Sequence, residues 1–135
     1  MLFRSLDRVL ESQRQRNCVG GCPIGNLASE LSDVHEGFRQ RLAGIFDVWR
    51  STLTDVLSRC EAGGHATRDF DPSAVAQFLV AALEGAILLT KVTKDISIME
   101  RCVDQLKQHL TLYAERADSI LIQGAPAGPA NGRGR

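Results

Sequence analysis

Gly21-Cys22-Pro23-Ile24-Gly25-Asn26-Leu27-Ala28-Ser29-Glu30-Leu31 is the stretch on which the reading of the fold turns. Glycines at 20, 21 and 25 and proline at 23 stop one helix and open another, since glycine permits sharp bends and proline suits a helix's first turn. Cys22 therefore stands at or just before a helix N-terminus. The unpaired N–H groups there favour a thiolate, which makes Cys22 a candidate acidic thiol. The competing reading is a half-buried cysteine that packs as a small hydrophobe.

Upstream, Leu2, Phe3, Leu6, Val9 and Leu10 share one helical face, with Arg4, Asp7, Arg8, Glu11 and Arg14 on the other, which predicts a first helix over about 2–16. Downstream, a short helix over about 24–31 ends at the turn residues Ser32-Asp33. The third helix is the clearest: at 100° per residue, Val34, Phe38, Leu42, Ile45, Trp49, Leu53, Val56 and Cys60 form one stripe, widened by Phe46 and Leu57. Gly63-Gly64 end it, and His65 to Asp71 read as a polar loop.

Asp71-Pro72-Ser73 opens a fourth helix, with Asp71 as N-cap and Pro72 at the first helical position. From Ala74 to Val92 it is apolar almost all round, yet Gln77 and Glu84 keep its continuous apolar runs well short of the roughly 20 residues of a bilayer span. Such a helix needs cover on two sides, more than one small chain offers. Glu84 lies seven residues from both Gln77 and Lys91; the polar stripe so formed is either a solvated seam or holds a ligand-contacting carboxylate. A fifth helix over about 97–122 carries Met99, Val103, Leu106, Leu110, Tyr113 and Ala117 on its stripe, flanked by Cys102 and His109. Residues 123–135, glycine, proline and alanine with two arginines, have the composition of a disordered tail behind a domain spanning 1–122. No strand signal competes, so the fold class is all-α, a bundle of about five helices.

Sixteen basic and sixteen acidic residues cancel, so charge gives this polypeptide no reason of its own to bind nucleic acid. Charges interrupt the apolar residues from Met1 to Arg8, unlike a signal peptide, so the expected compartment is the cytoplasm and Cys18, Cys22, Cys60 and Cys102 are expected as reduced thiols. Three residues separate Cys18 from Cys22, and His35, His65 and His109 are scattered; neither pattern is that of a metal site, and no cofactor is called for. A catalytic thiol would have to draw on Cys18 and Cys22 with His35 downstream, as in a small helical thiol peroxidase-like protein. The ordering of features favours a non-enzymatic reading.

That ordering resembles the C-terminal effector-binding and dimerisation part of TetR/AcrR-family bacterial transcriptional regulators. The likeness is carried by Gly21-Cys22-x-x-Gly25-Asn26-x-x-x-Glu30, by the helix around Phe46-Asp47-Val48-Trp49, and by Phe78-Leu79-Val80-Ala81-Ala82-Leu83-Glu84-Gly85-Ala86, across about residues 1 to 115. It implies a repressor that senses a small apolar or aromatic molecule. It also implies that operator DNA is met through an N-terminal helix-turn-helix head that does not precede the first helix here, so no DNA-binding residue is expected in this chain.

The resemblance further implies that helices four and five pair with the same helices of a second subunit in a four-helix bundle, which supplies the missing cover for helix four. The expected interface residues are Leu79, Ala82, Gly85, Ala86 and Leu89 with Cys102, Leu106, His109, Leu110 and Tyr113. The alternative is that they pack only within the monomer. The effector cavity is expected among helices one to four, walled by Phe38, Leu42, Phe46, Trp49, Leu53, Val80, Leu83 and Ile87, with Cys22 and Asn26 as polar or reactive contacts. Sensing then works either by plain occupancy of this cavity or by attack of an electrophile or oxidant on Cys22, resolved by Cys18. A stand-alone interaction bundle without a ligand is the remaining class.

Overall fold

Five helices follow one another in the computed structural model, α1 (Leu2–Gln15), α2 (Pro23–Leu31), α3 (Glu36–Ala62), α4 (Pro72–Thr93) and α5 (Ile96–Thr111). Residues 2–63, 66 and 69–113 are described. The expected continuation of the last helix to 122, with Ala117, and the expected tail at 123–135 lie outside them, as does most of the loop after Gly63.

Each boundary has a local cause. Cys22 caps α2, its sulfur accepting the Gly25 N–H, with Pro23 at the first helical position. His35 Nδ1 accepts the Phe38 N–H at 3.2 Å and starts α3. Asp71 Oδ1 accepts from the Ser73 and Ala74 N–H groups and starts α4, again with proline behind the cap. Lys94 ends α4 in the left-handed conformation (φ 57°), and Asp95 at once caps α5 through the Ser97 N–H. The α4–α5 corner is thus two residues long, which forces the two helices to lie side by side.

α4 is the centre of the bundle, packed against α3 and α5, while α1 packs on α5 and α2 on α3. Leu79, Ala76, Ala86, Ile87 and Val75 of α4 meet Met99, Val103, Leu106 and Leu110 of α5, with Leu2 and Leu6 of α1 and Leu57 of α3 closing the cluster. Outside the core, Lys107 Nζ to Asp7 Oδ1 (2.6 Å) and Arg14 Nη2 to Glu100 Oε1 (2.7 Å) clasp α1 to α5. These pairs are largely exposed and contribute little. At 22 residues α4 meets the length and apolarity of a bilayer span; it packs between α3 and α5, with about 33% of its most apolar window buried in the chain.

The apolar stripe of α3 is only partly used. Leu42, Leu57 and Cys60 are buried, whereas Phe38 is 44% exposed and Val34 and Val48 more so. α3 runs for 27 residues, and among the described residues only α4 and the nine-residue α2 pack on it extensively.

Candidate functional site

Between α1 and α2 the chain turns on four left-handed residues, Asn17, Cys18, Gly20 and Gly21 (φ 50°, 60°, 85° and 66°). Its carbonyls are tied down from three sides. Lys94 Nζ donates to the Cys18 oxygen (3.1 Å), Asn26 Nδ2 to the Gly20 oxygen (2.7 Å) and Arg16 Nη1 to the Gly21 oxygen (3.2 Å). Asn26 Oδ1 in turn accepts from Lys91 Nζ of α4 at 2.9 Å. Asn26 is therefore the knot that ties the glycine turn and α2 to α4. Gly25 allows that approach, since the Glu84 carboxylate stands where a Cβ at 25 would have to be.

This arrangement holds α2 clear of α1 and leaves a cavity of about 570 Å³ framed by α1, the start of α2, α3 and α4. Trp49 and Leu53 wall it from α3, Val80, Leu83 and Ile87 from α4, and Val9 from α1. Its polar lining comes from Glu84, Cys22, Gln13, Ser5, Ser12 and Thr52, with Arg8 of α1 and Arg16 just past its end. A smaller cleft of about 280 Å³ adjoins it between α2, α3 and α4, lined by Asn26, Phe46 and Lys91; Cys22, Glu84 and Ile87 face both spaces.

Of the residues expected around a ligand, Cys22, Trp49, Leu53, Val80, Leu83 and Ile87 come together in the larger cavity, and Asn26 and Phe46 in the smaller. Phe38 and Leu42 line neither: Phe38 packs edge-on to its own helix cap, His35, at 4.9 Å, and Leu42 is buried. Helix one was expected to border the cavity, but none of its residues was named. A lone amide on the apolar face, Gln13 after Leu2, Leu6 and Val9 at helical spacing, was the available signal. Gln13 is 2% exposed, and its Oε1 has no hydrogen-bond partner.

The thiol expectation needs correcting. Burial pushes Cys22 above the ordinary thiol range; the Gly25 N–H pulls it back, and the Glu84 carboxylate raises it again. The helix-end stabilisation is present but is outweighed, so Cys22 is less acidic than a free cysteine rather than more. Cys18 is 5% exposed.

The expected interface residues also divide. Leu79, Ala86, Leu106 and Leu110 are buried inside the chain, where the α4–α5 core already uses them. Facing outward instead are Phe78, Leu89 (53% exposed) and Val92 (71%), with Ala82 and Gly85 half-buried between them. These five follow one another at spacings of four, three, four and three residues, a seam along one side of α4. His109 of α5 lies beside it, its ring 4.9 Å from that of Phe78 and its Nε2 3.3 Å from the Tyr113 hydroxyl; Cys102 is half-buried against the core.

Residues 2–106 match the model of the tetracyclin repressor-like C-terminal domain family. The chain is 32% identical over 115 residues to an uncharacterized HTH-type transcriptional regulator in the lacX 3' region of Lactococcus lactis subsp. lactis, covering 85% of this chain and 57% of that protein. It is 35% identical over 95 residues to the HTH-type transcriptional repressor DhaR of Mycobacterium sp. (strain GP1), covering 70% and 44% respectively. The chain thus spans about half the length of these relatives. Among solved structures, a TetR transcriptional regulator from Chloroflexus aurantiacus superposes with a TM-score of 0.74 at 25% identity, over 84% of this chain and 59% of that one.

Proposed function

The chain belongs to the TetR family of transcriptional regulators, as a C-terminal domain of that family, and from that premise we propose that it is the part which senses a small apolar or aromatic molecule and pairs two subunits. The observation that carries the sensing role is the 570 Å³ cavity, whose walls are mostly apolar with a few polar side chains set among them. A space of that size and lining is the ordinary form of a small-molecule site. Transcription is then controlled through a helix-turn-helix belonging to the rest of the regulator, with repression as the mode, in line with the description of the Mycobacterium relative. The compartment is the cytoplasm.

Pairing is assigned to the α4 seam. Phe78, Leu89 and Val92 expose apolar surface in a row, and the small Ala82 and Gly85 between them let a second α4 approach closely. A two-fold axis across this seam makes the contact isologous and completes a four-helix bundle with α5. Effector binding acts on this dimer by favouring one spacing of the subunits over another, which requires different affinities for the two states. Occupancy rather than thiol chemistry is the mode favoured, since Cys22 lines the cavity and burial and the Glu84 carboxylate both work against its thiolate.

Trp49 is the single tryptophan and stands in the cavity wall, so its emission reports occupancy directly. Saturable quenching or a blue shift on titration with 4-ethyltoluene, lost in Leu83→Phe, which fills part of the space without adding a second tryptophan, supports the sensing role. No response to any apolar compound of that size contradicts it.

A further inference from the structure

Among the polar side chains that line the larger cavity, two bring an acceptor without a strong donor to meet it: the Glu84 carboxylate and the side-chain oxygen of Gln13. Glu84 projects from α4, and among the described residues no arginine or lysine forms an ion pair with its carboxylate. Its neighbours are the weakly donating thiol of Cys22 and the glycine at 25. Gln13 approaches from α1, almost wholly buried, with its carbonyl oxygen unpartnered. A carboxylate accepts hydrogen bonds and donates none, and a buried acceptor left without a donor is costly enough to be rare. Of the donors around the two spaces, Arg16 gives its guanidinium to the Ser12 and Gly21 carbonyls, Thr52 its hydroxyl to Val48 and Lys91 its ammonium to Asn26, while the Ser12 hydroxyl lies in the lining without reaching the Gln13 oxygen. Arg8 reaches the cavity from an exposed position.

Resting on the effector cavity proposed above, we infer that the effector is an apolar molecule bearing a hydrogen-bond donor, a hydroxyl or an ammonium group, which Glu84 and Gln13 receive. The apolar body lies against Trp49, Leu53, Val80 and Leu83, and the donor turns toward the junction with the smaller cleft. A carboxylate on the ligand would meet Glu84 with like charge, and only Arg8 would offer it a partner.

Four probes of one shape separate the cases when titrated against Trp49 emission in the full chain: 4-ethylphenol, 4-ethylbenzylamine, 4-ethyltoluene and 4-ethylbenzoate. The two donors bind about tenfold more tightly than 4-ethyltoluene, the size of one good hydrogen bond to a charged group, and 4-ethylbenzoate binds weakest. Glu84→Leu abolishes the tenfold advantage over 4-ethyltoluene when all are measured in that variant. Glu84→Gln keeps most of the phenol's advantage and loses the amine's, which distinguishes a hydroxyl site from a cation site. Gln13→Leu, with its helical content checked by circular dichroism, lowers the phenol's advantage about threefold. Equal affinities for 4-ethylphenol and 4-ethyltoluene, or tightest binding of 4-ethylbenzoate, overturn the donor assignment and leave the effector cavity standing. Failure of every probe to change Trp49 emission overturns both.

Discussion

The Glu84 carboxylate occupies the space that a side chain at Gly25 would need, so the glycine of α2 and the carboxylate of α4 are placed by one another. Gly25→Ala follows from that relationship. Alanine is the better helix former, by about 0.5–1 kcal/mol, and the atom it would strike is the end of a flexible side chain. Thermal stability therefore stays within a few degrees of the parent while Glu84 is displaced, and the affinity for 4-ethylphenol falls toward that of 4-ethyltoluene. A variant that unfolds, or binds the phenol unchanged, contradicts the placement.

Asn26 stands in the smaller cleft, but its amide is committed to Gly20 and Lys91. Asn26→Ala removes both bonds; the Gly20 oxygen is exposed and turns to water, so the cost is that of ordinary hydrogen bonds, about 0.5–1.5 kcal/mol each. Asn26→Asp keeps the acceptor for Lys91 and loses only the donor to Gly20, so urea midpoints should rank parent, Asp variant, Ala variant. A loss of binding with no loss of stability in the Ala variant would instead make Asn26 a ligand contact.

The core and the seam of α4 are adjacent in sequence and separable by experiment. Leu79→Ala opens a hole at a wholly buried site and lowers unfolding free energy by about 2–5 kcal/mol. Leu89→Glu, on the exposed seam, leaves the fold intact and converts a dimer to a monomer in light scattering. Persistence of the dimer in Leu89→Glu places the subunit contact on another face.

Because burial and Glu84 hold Cys22 above the ordinary thiol range, its alkylation by iodoacetamide should reach half its maximal rate at a pH higher than that of free cysteine. The linkage has a definite sign. The folded chain keeps this proton more firmly than the unfolded one, so the contribution to stability is whole below the unfolded thiol value, 9.0, and is lost as pH rises past it. Glu84→Gln removes the neighbouring charge and moves the inflection down. An inflection below that of free cysteine would restore Cys22 as a thiolate sensor.

The helices were legible because their punctuation is local: Asp71-Pro72, Lys94-Asp95 and the glycines around Cys22 act through their own backbone and next neighbours. Periodicity shows which residues share a side but not whether anything covers it. Phe38 and Trp49 share the stripe of α3, yet only Trp49 meets the cavity, while Phe38, about three turns nearer the start of the helix, is 44% exposed. α4 posed the opposite problem. A helix apolar all round has no readable phase, so Leu79 and Ala86 could not be told from Phe78 and Leu89 until α5 was in place. The acidity of Cys22 failed for a related reason: the burial that raises it, and after that the Glu84 carboxylate 62 residues away in sequence, exist only once the chain has folded.

That the space framed by α1, α3 and α4 receives the effector is tested most directly by intermolecular nuclear Overhauser effects between the chain and 4-ethylphenol. Contacts from the ethyl and ring protons to Trp49, Leu53, Val80 and Leu83 are the predicted result. Contacts confined to Phe78, Leu89 and Val92, on the outer seam of α4, would contradict it.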